Sequence, residues 1–198
     1  MSNFRLSLIT LLAVSLAACV TISDKDSRSW LDTRTAAAIT AQIEPIVLSR
    51  EDFPAGVNVR DYVEIGAFEV NRSGARKQYL AFTLWSTIDR SVSQWSRTAV
   101  DYSSVTLWAD DQPIQLKLSA DSHTDLGIST PVFTRPSPTA HQMYYEVTLV
   151  QLSALAQAQR WTLAPGGMAE GDQKFSRWRG SPGSLNRFIT IINRNAGH

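Results

Sequence analysis

The sequence predicts a mainly β protein, an antiparallel β-sandwich with one or two short helices. Three observations predict it. Apolar and polar residues alternate along several short runs, the period of a strand with one buried face. Turn-forming clusters separate those runs, among them Asn71-Arg72-Ser73-Gly74, Asp110-Asp111-Gln112 and Pro165-Gly166-Gly167. Few stretches carry helical spacing. The chain has 198 residues, of which 43% are hydrophobic and 19% charged, so it is long and apolar enough to bury a core.

The elements follow in order. Residues 20–36 are polar, with Val20, Ile22, Trp30 and Leu31 isolated among them, and begin as a flexible tether. Residues 35–43 suit a short, alanine-rich helix capped by Thr33 or Thr35. Pro45 and Pro54 flank an extended segment at Ile46-Val47-Leu48. Between residues 61 and 70, Val63 and Ile65 share one phase while Phe68 and Val70 occupy the other. A β-bulge at Gly66 would reset the register and keep both halves on the core side. In residues 77–88, Leu80, Phe82 and Leu84 face one way and Tyr79, Ala81 and Trp85 the other, which predicts a central strand covered on both sides.

Residues 102–109 and 113–119 form a hairpin pattern, with Ile114, Leu116 and Leu118 alternating against Gln115, Lys117 and Ser119. Residues 120–141, with Pro131, Pro136 and Pro138, read as a long loop or a broken edge strand. Residues 142–150 alternate again, and residues 152–158 suit a short helix capped by Ser153. Trp161-Thr162-Leu163 starts a strand that residues 173–178 can pair with. Leu185, Phe188, Ile189 and Ile192 then fall at helical spacing behind Ser181 or Ser184 as cap, with a strand as the rival because of the β-branched residues. An α+β layer in the C-terminal third is the alternative to a full sandwich. Residues 45–198 read as a single β-rich domain and residues 19–44 as its tether.

The first residues are an address. Arg5 precedes an apolar run of 13 residues from Leu6 to Ala18, the length of a signal h-region and too short to span a bilayer. The run ends at Leu16-Ala17-Ala18-Cys19, and Cys19 is the chain's sole cysteine. This resembles the lipobox of bacterial lipoproteins. The resemblance implies removal of residues 1–18 as a signal peptide and lipidation of Cys19. Several acyl chains on one residue anchor firmly where a single chain would not. Val20 after the cysteine, where sorting to the inner membrane would call for Asp, implies the outer membrane with the domain facing the periplasm.

Charge and cysteine content exclude several classes. Lys plus Arg number 19 and Asp plus Glu 18, and loss of Arg5 with the signal peptide leaves 18 of each. A protein built to bind nucleic acid is far more basic. One cysteine excludes an intramolecular disulfide and multi-cysteine metal sites. No G-x-S-x-G, P-loop or G-x-G-x-x-G occurs, so a nucleophile elbow and nucleotide binding have no support. No cofactor is expected.

Two clusters carry chemistry. Asp121, His123 and Asp125 would share one face of an extended strand, a donor set suited to a divalent metal, although a hydrophilic loop explains them as well. Arg177-Trp178-Arg179 joins guanidinium to indole, a combination that grips phosphate, carboxylate or a sugar face. An exposed strand with Arg stems lying over apolar surface is the bland reading. Fifteen of the basic residues are Arg and four are Lys, which favours recognition of anionic groups. Outside the periodic runs, Trp30 and Trp95 would mark an interaction surface if exposed.

The sequence therefore predicts an outer-membrane-anchored envelope lipoprotein, a non-enzymatic structural or interaction module held by the lipid on Cys19 and meeting an envelope protein. A binder of an anionic ligand or polymer through Arg177, Trp178 and Arg179 is one alternative. A metal-assisted hydrolase around Asp121, His123 and Asp125 is another.

Overall fold

A computed structural model of the chain describes residues 27–51, 58–88, 101–166 and 174–196. In chain order the elements are β1 (Ser27–Asp32), β2 (Ala37–Gln42), β3 (Ile46–Glu51), β4 (Arg60–Arg72), β5 (Ala75–Ser86), β6 (Asp101–Ala109), β7 (Gln112–Ala120) and β8 (His141–Val147). Helix α1 (Leu149–Gln157), strands β9 (Trp161–Gly166) and β10 (Phe175–Arg179), and helix α2 (Pro182–Arg194) complete them.

The chain is mainly β and every strand pair is antiparallel, but the sheet closes into an eight-stranded barrel rather than splitting into a sandwich. Around the barrel the order is β3-β10-β9-β6-β7-β8-β5-β4, and β4 returns to β3. Strand β10 makes the difference: it pairs with β9 through Phe175 opposite Leu163 and with β3 through Ser176 opposite Ser49. Alternation along single strands is the same in a sandwich and a barrel; only the pairing of distant strands separates them. The C-terminal third is not a separate α+β layer, because β8, β9 and β10 are barrel strands.

The barrel interior is filled by side chains. Ile65, Leu80, Phe82, Leu107, Tyr145 and Leu163 are among those that meet there. Both helices cover one end and belong to the same core through Leu152, Leu155, Leu185, Phe188 and Ile192. Arg76 Nη2 donates to the Ile192 carbonyl, and Asn186 Nδ2 donates to the Ala156 carbonyl at 3.0 Å, tying barrel to helix and helix to helix. Helix α2 starts at Ser181 as expected, with Pro182 pre-set for the first turn. Helix α1 starts earlier than the expected Ser153. Thr148 is its cap, in a reciprocal box with Gln151 that the run Thr-x-x-Gln spells out.

Strand β4 is longer than the barrel needs, and it forks. Its first half, Arg60 to Ile65, pairs with β3; its second half, Phe68 to Asn71, pairs with β2. Where the neighbour changes, the Ala67 N–H is satisfied by Gln42 Oε1 at 3.1 Å, while Gln42 Nε2 donates to the Glu44 carbonyl and to Ser184 Oγ, each at 2.6 Å. Beyond the fork, β1 and β2 form a hairpin that continues the sheet. The short helix expected over residues 35–43 is therefore strand β2. Ala37, Ile39 and Ala41 alternate onto a buried face, and tertiary pairing overrides the helical preference of alanine. Strand starts at Ser27, well inside the stretch expected to be tether.

The expected bulge at Gly66 is absent. Strands β4 and β5 pair without a shift from Asp61–Ser86 to Arg72–Ala75. Both phases of β4 are buried because there are two cores: Val63, Ile65 and Ala67 face the barrel interior, while Phe68 and Val70 join an outer cluster with Tyr79, Ala81 and Tyr144. The lid of that cluster is the proline-bearing loop, whose Leu126, Ile128, Val132 and Phe133 are buried. Gly66 is where Phe133 lies against the sheet; a Cβ there would stand 2.7 Å from Phe133 Cε1 and Cε2. The lid is strapped to the hairpin by Asp32, whose carboxylate accepts from the Ser129 N–H at 2.6 Å and the Ser129 hydroxyl at 2.8 Å.

Candidate functional site

Aromatic and cationic side chains gather on the outer face of β10, β3, β4 and β5, around the fork. Tyr62 and Trp85 are direct cross-strand partners, and their rings stack with centroids 4.0 Å apart and planes 11° from parallel. On the other side Tyr62 faces the small Ser49, which itself faces Ser176. The small pair leaves space for Trp178, whose ring meets Tyr62 edge-on at 6.4 Å. Trp178 is 57% exposed. The Arg60 guanidinium sits 4.9 Å from the Trp178 ring and pairs with Glu51 at 3.0 Å.

An irregularity in β10 between Arg177 and Arg179 sets the cations. Arg177 stands opposite Leu48 and Arg179 opposite Val47, whose partner across β3 and β4 is Glu64. Burial pushes the Glu64 carboxyl up, and the charge of Arg179 pulls it the other way. Glu64 lines a hollow of about 230 Å³ together with Arg28, Ile43, Pro45, Phe133 and Thr134. The fork creates this hollow, since β2 has left the edge of β4 there and β3 has just joined it. A second, shallower hollow of about 540 Å³ follows along the lid, from Pro131 past Arg135 to Pro138.

The sequence had singled out Arg177, Trp178 and Arg179, and all three lie exposed on β10. It had not connected them with Arg60, Tyr62, Trp85 or Glu64. The available signal was the outward phase of residues 60, 62 and 64, opposite the buried Val63 and Ile65.

Asp121, His123 and Asp125 are not on a strand. The chain turns there, with the Asp125 N–H donating to the Ser122 carbonyl at 3.2 Å and the Gly127 N–H to the Thr124 carbonyl at 2.8 Å. Turns destroy the every-second-residue alignment on which the metal reading depended. Among the described residues no group of three His, Cys, Asp or Glu is placed to hold a metal ion. His141, at the start of β8, is half-buried, and burial lowers its pKa against the pull of Asp121.

No protein-family model, curated protein or solved structure matches this chain.

What the surface can do follows from its chemistry. Of the other tryptophans, Trp161 is buried with its Nε1 donating to the Leu155 carbonyl at 2.9 Å. Trp108 lies under Lys174 Nζ at 4.0 Å, and Trp30 is partly buried under the Arg28 guanidinium. Trp178 is thus the tryptophan offered to solvent among the described residues. Cys19 and Trp95 lie outside the described residues. No helix among the described residues is long and apolar enough to cross a membrane.

Proposed function

We propose that the chain is an envelope lipoprotein, held at the outer membrane by the lipid on Cys19, whose barrel is an interaction module for another envelope protein. One observation carries the reading: among the described residues the sheet closes on itself everywhere except at β1. In that strand order β1 pairs with β2 alone, so its other edge offers backbone donors and acceptors that no described strand pairs. Leu31 on that strand is 60% exposed. An extended segment of a partner can add to such an edge and place a side chain against Leu31. The filled interior supports recognition at the outside of the barrel in place of carriage within it.

In cells, a photocrosslinking residue at Leu31 should capture one specific envelope protein. The same photocrosslinking residue at Val150 on α1, which is 80% exposed, should not capture it. No specific product from Leu31, or the same product from Val150, overturns the reading. Palmitate labelling that disappears in Cys19→Ser tests the anchor separately.

The Trp178 surface favours a second reading, a binder of an anionic ligand or polymer. Indole and guanidinium are already stacked at Arg60 and Trp178, so little ordering remains on binding. Tryptophan fluorescence should respond to such a ligand and lose the response in Arg177→Ala/Arg179→Ala. Equal response in both proteins dismisses it.

A further inference from the structure

We infer that the outer face around the fork is a docking surface for a bilayer bearing anionic phospholipid headgroups, reached through Arg28, Arg177, Arg179, Ile43 and Trp178. The inference rests on the lipid anchor at Cys19 proposed above.

The first argument is reach. Residues 20–26 separate Cys19 from the first residue of β1. A fully extended chain covers at most about 3.6 Å per residue, so Ser27 stays within roughly 29 Å of the acylated residue. The part of the body nearest Ser27 is therefore the part that meets the membrane. Ser27 stands opposite Gln42, so the chain leaves the body beside Ile43, which is 40% exposed. From the other direction, β10 ends at the same place: a Cβ on Gly180 would stand 2.8 Å from the Pro45 carbonyl oxygen. Arg28 at the start of β1 and Arg179 at the end of β10 thus flank the exit of the tether.

The second argument is composition. Besides the Arg60–Glu51 ion pair, this face carries among the described residues four exposed arginines, Arg28, Arg135, Arg177 and Arg179, against the carboxylates of Glu44 and Glu64. Burial also favours the neutral form of Glu64. The large apolar side chains exposed here, Ile43 and Trp178, suit the boundary between headgroups and acyl chains, where tryptophan is enriched. Arginine next to tryptophan on a surface tethered to a bilayer matches a negative interface with an apolar interior. A soluble polymer would need no such proximity to the anchor.

Every described strand and helix lies within residues 27–196, so a chain of residues 20–198 keeps all of them and can be tested without the lipid. It should sediment with phosphatidylglycerol–phosphatidylcholine vesicles and not with pure phosphatidylcholine. The Arg177 and Arg179 side chains are exposed, and β10 is held through its backbone pairing with β3 and β9. Their replacement in Arg177→Gln/Arg179→Gln leaves the fold intact and should weaken partitioning about 30-fold, roughly fivefold per charge. The blue shift of tryptophan emission on adding vesicles should vanish in Trp178→Phe. Absence of vesicle binding, or equal binding by wild type and the double variant, overturns the inference. Binding to isolated peptidoglycan with none to vesicles also overturns it, in favour of a polymer. Palmitate labelling of the full chain reads the anchor independently: vesicle binding without labelling supports the surface and removes the tether.

Discussion

Gly66→Ala probes the contact on which the second core depends. The added Cβ would press first on Phe133 Cζ and stand 2.7 Å from both Cε atoms, whereas carbon atoms rest about 3.5–4.0 Å apart. The ring must retreat by more than about 1 Å. It is not free to do so: it packs edge-on against Phe68 at 6.3 Å, and the Phe133 carbonyl accepts from Gln142 Nε2 at 2.9 Å. Overpacking of this kind costs about 2 kcal/mol. Phe133→Ala alone removes a buried ring and costs about 3 kcal/mol. In the Phe133→Ala background the clash is gone, and alanine in an extended strand restricts the unfolded chain more than glycine does. Gly66→Ala should then stabilise by about 0.5 kcal/mol. The coupling in the double-mutant cycle is therefore about 2.5 kcal/mol with a change of sign. Urea unfolding of residues 20–198 and its three variants measures it. A Gly66→Ala penalty of the same size in both backgrounds would refute the reasoning and return Gly66 to a purely backbone role.

Three further predictions concern the fork, the caps and the strap. Gln42→Leu orphans the Ala67 N–H and one partner of Ser184, and should cost about 2–3 kcal/mol with an unchanged urea slope. Thr148→Ala removes one half of the capping box of α1 and should lower stability by about 1 kcal/mol, read from the same unfolding curves. The Asp32 carboxyl is held down to about 2, first by the Ser129 backbone N–H, so its folded pKa lies below its unfolded value. Its contribution is complete above about pH 4 and fades as pH falls towards 2. Exchange of the Ser129 amide should accelerate through that window, and Asp32→Asn should abolish the pH step; a step that survives in Asp32→Asn would count against the strap.

Most strands were legible because their alternation is local. Ile114 and Leu116 against Gln115 and Lys117 predict β7 without knowledge of any neighbour. Barrel closure was not legible, since it depends on β10 meeting β3 across more than half the chain, a pairing no local pattern reports. The fork hid for a related reason. Apolar residues in both phases of β4 look like a bulge when one core is assumed, and like an uninterrupted strand only once the lid residues Val132 and Phe133 supply a second. Strand β2 was masked by alanine, whose helical preference says nothing of the groove it fills. At the site, β10 announced itself through Arg177-Trp178-Arg179, three neighbours in sequence. Arg28, Ile43 and Glu64 join it only in space, brought together by the change of partner along β4.

The N-terminal hairpin changes what an anchor on Cys19 would do. A tether reaching to residue 44 would let the domain tumble freely at the end of a long leash. A tether ending at Ser27 enters a hairpin that three bonded groups fix to the rest of the body. Arg28 Nη2 donates to the Val132 carbonyl of the lid, Asp32 holds Ser129 of the same lid, and Gln42 reaches Ser184 at the start of α2. The point of attachment is thus rigid relative to the barrel, the lid and the helical cap together. A lipid on Cys19 then restricts which faces meet the bilayer, and β1 is committed twice over. Its start lies next to the arginines of the fork, while its free edge, with Leu31 near the far end, runs away from the tether. On the proposed reading, a membrane and a protein partner would then engage opposite ends of one six-residue strand without competing for the same side chains.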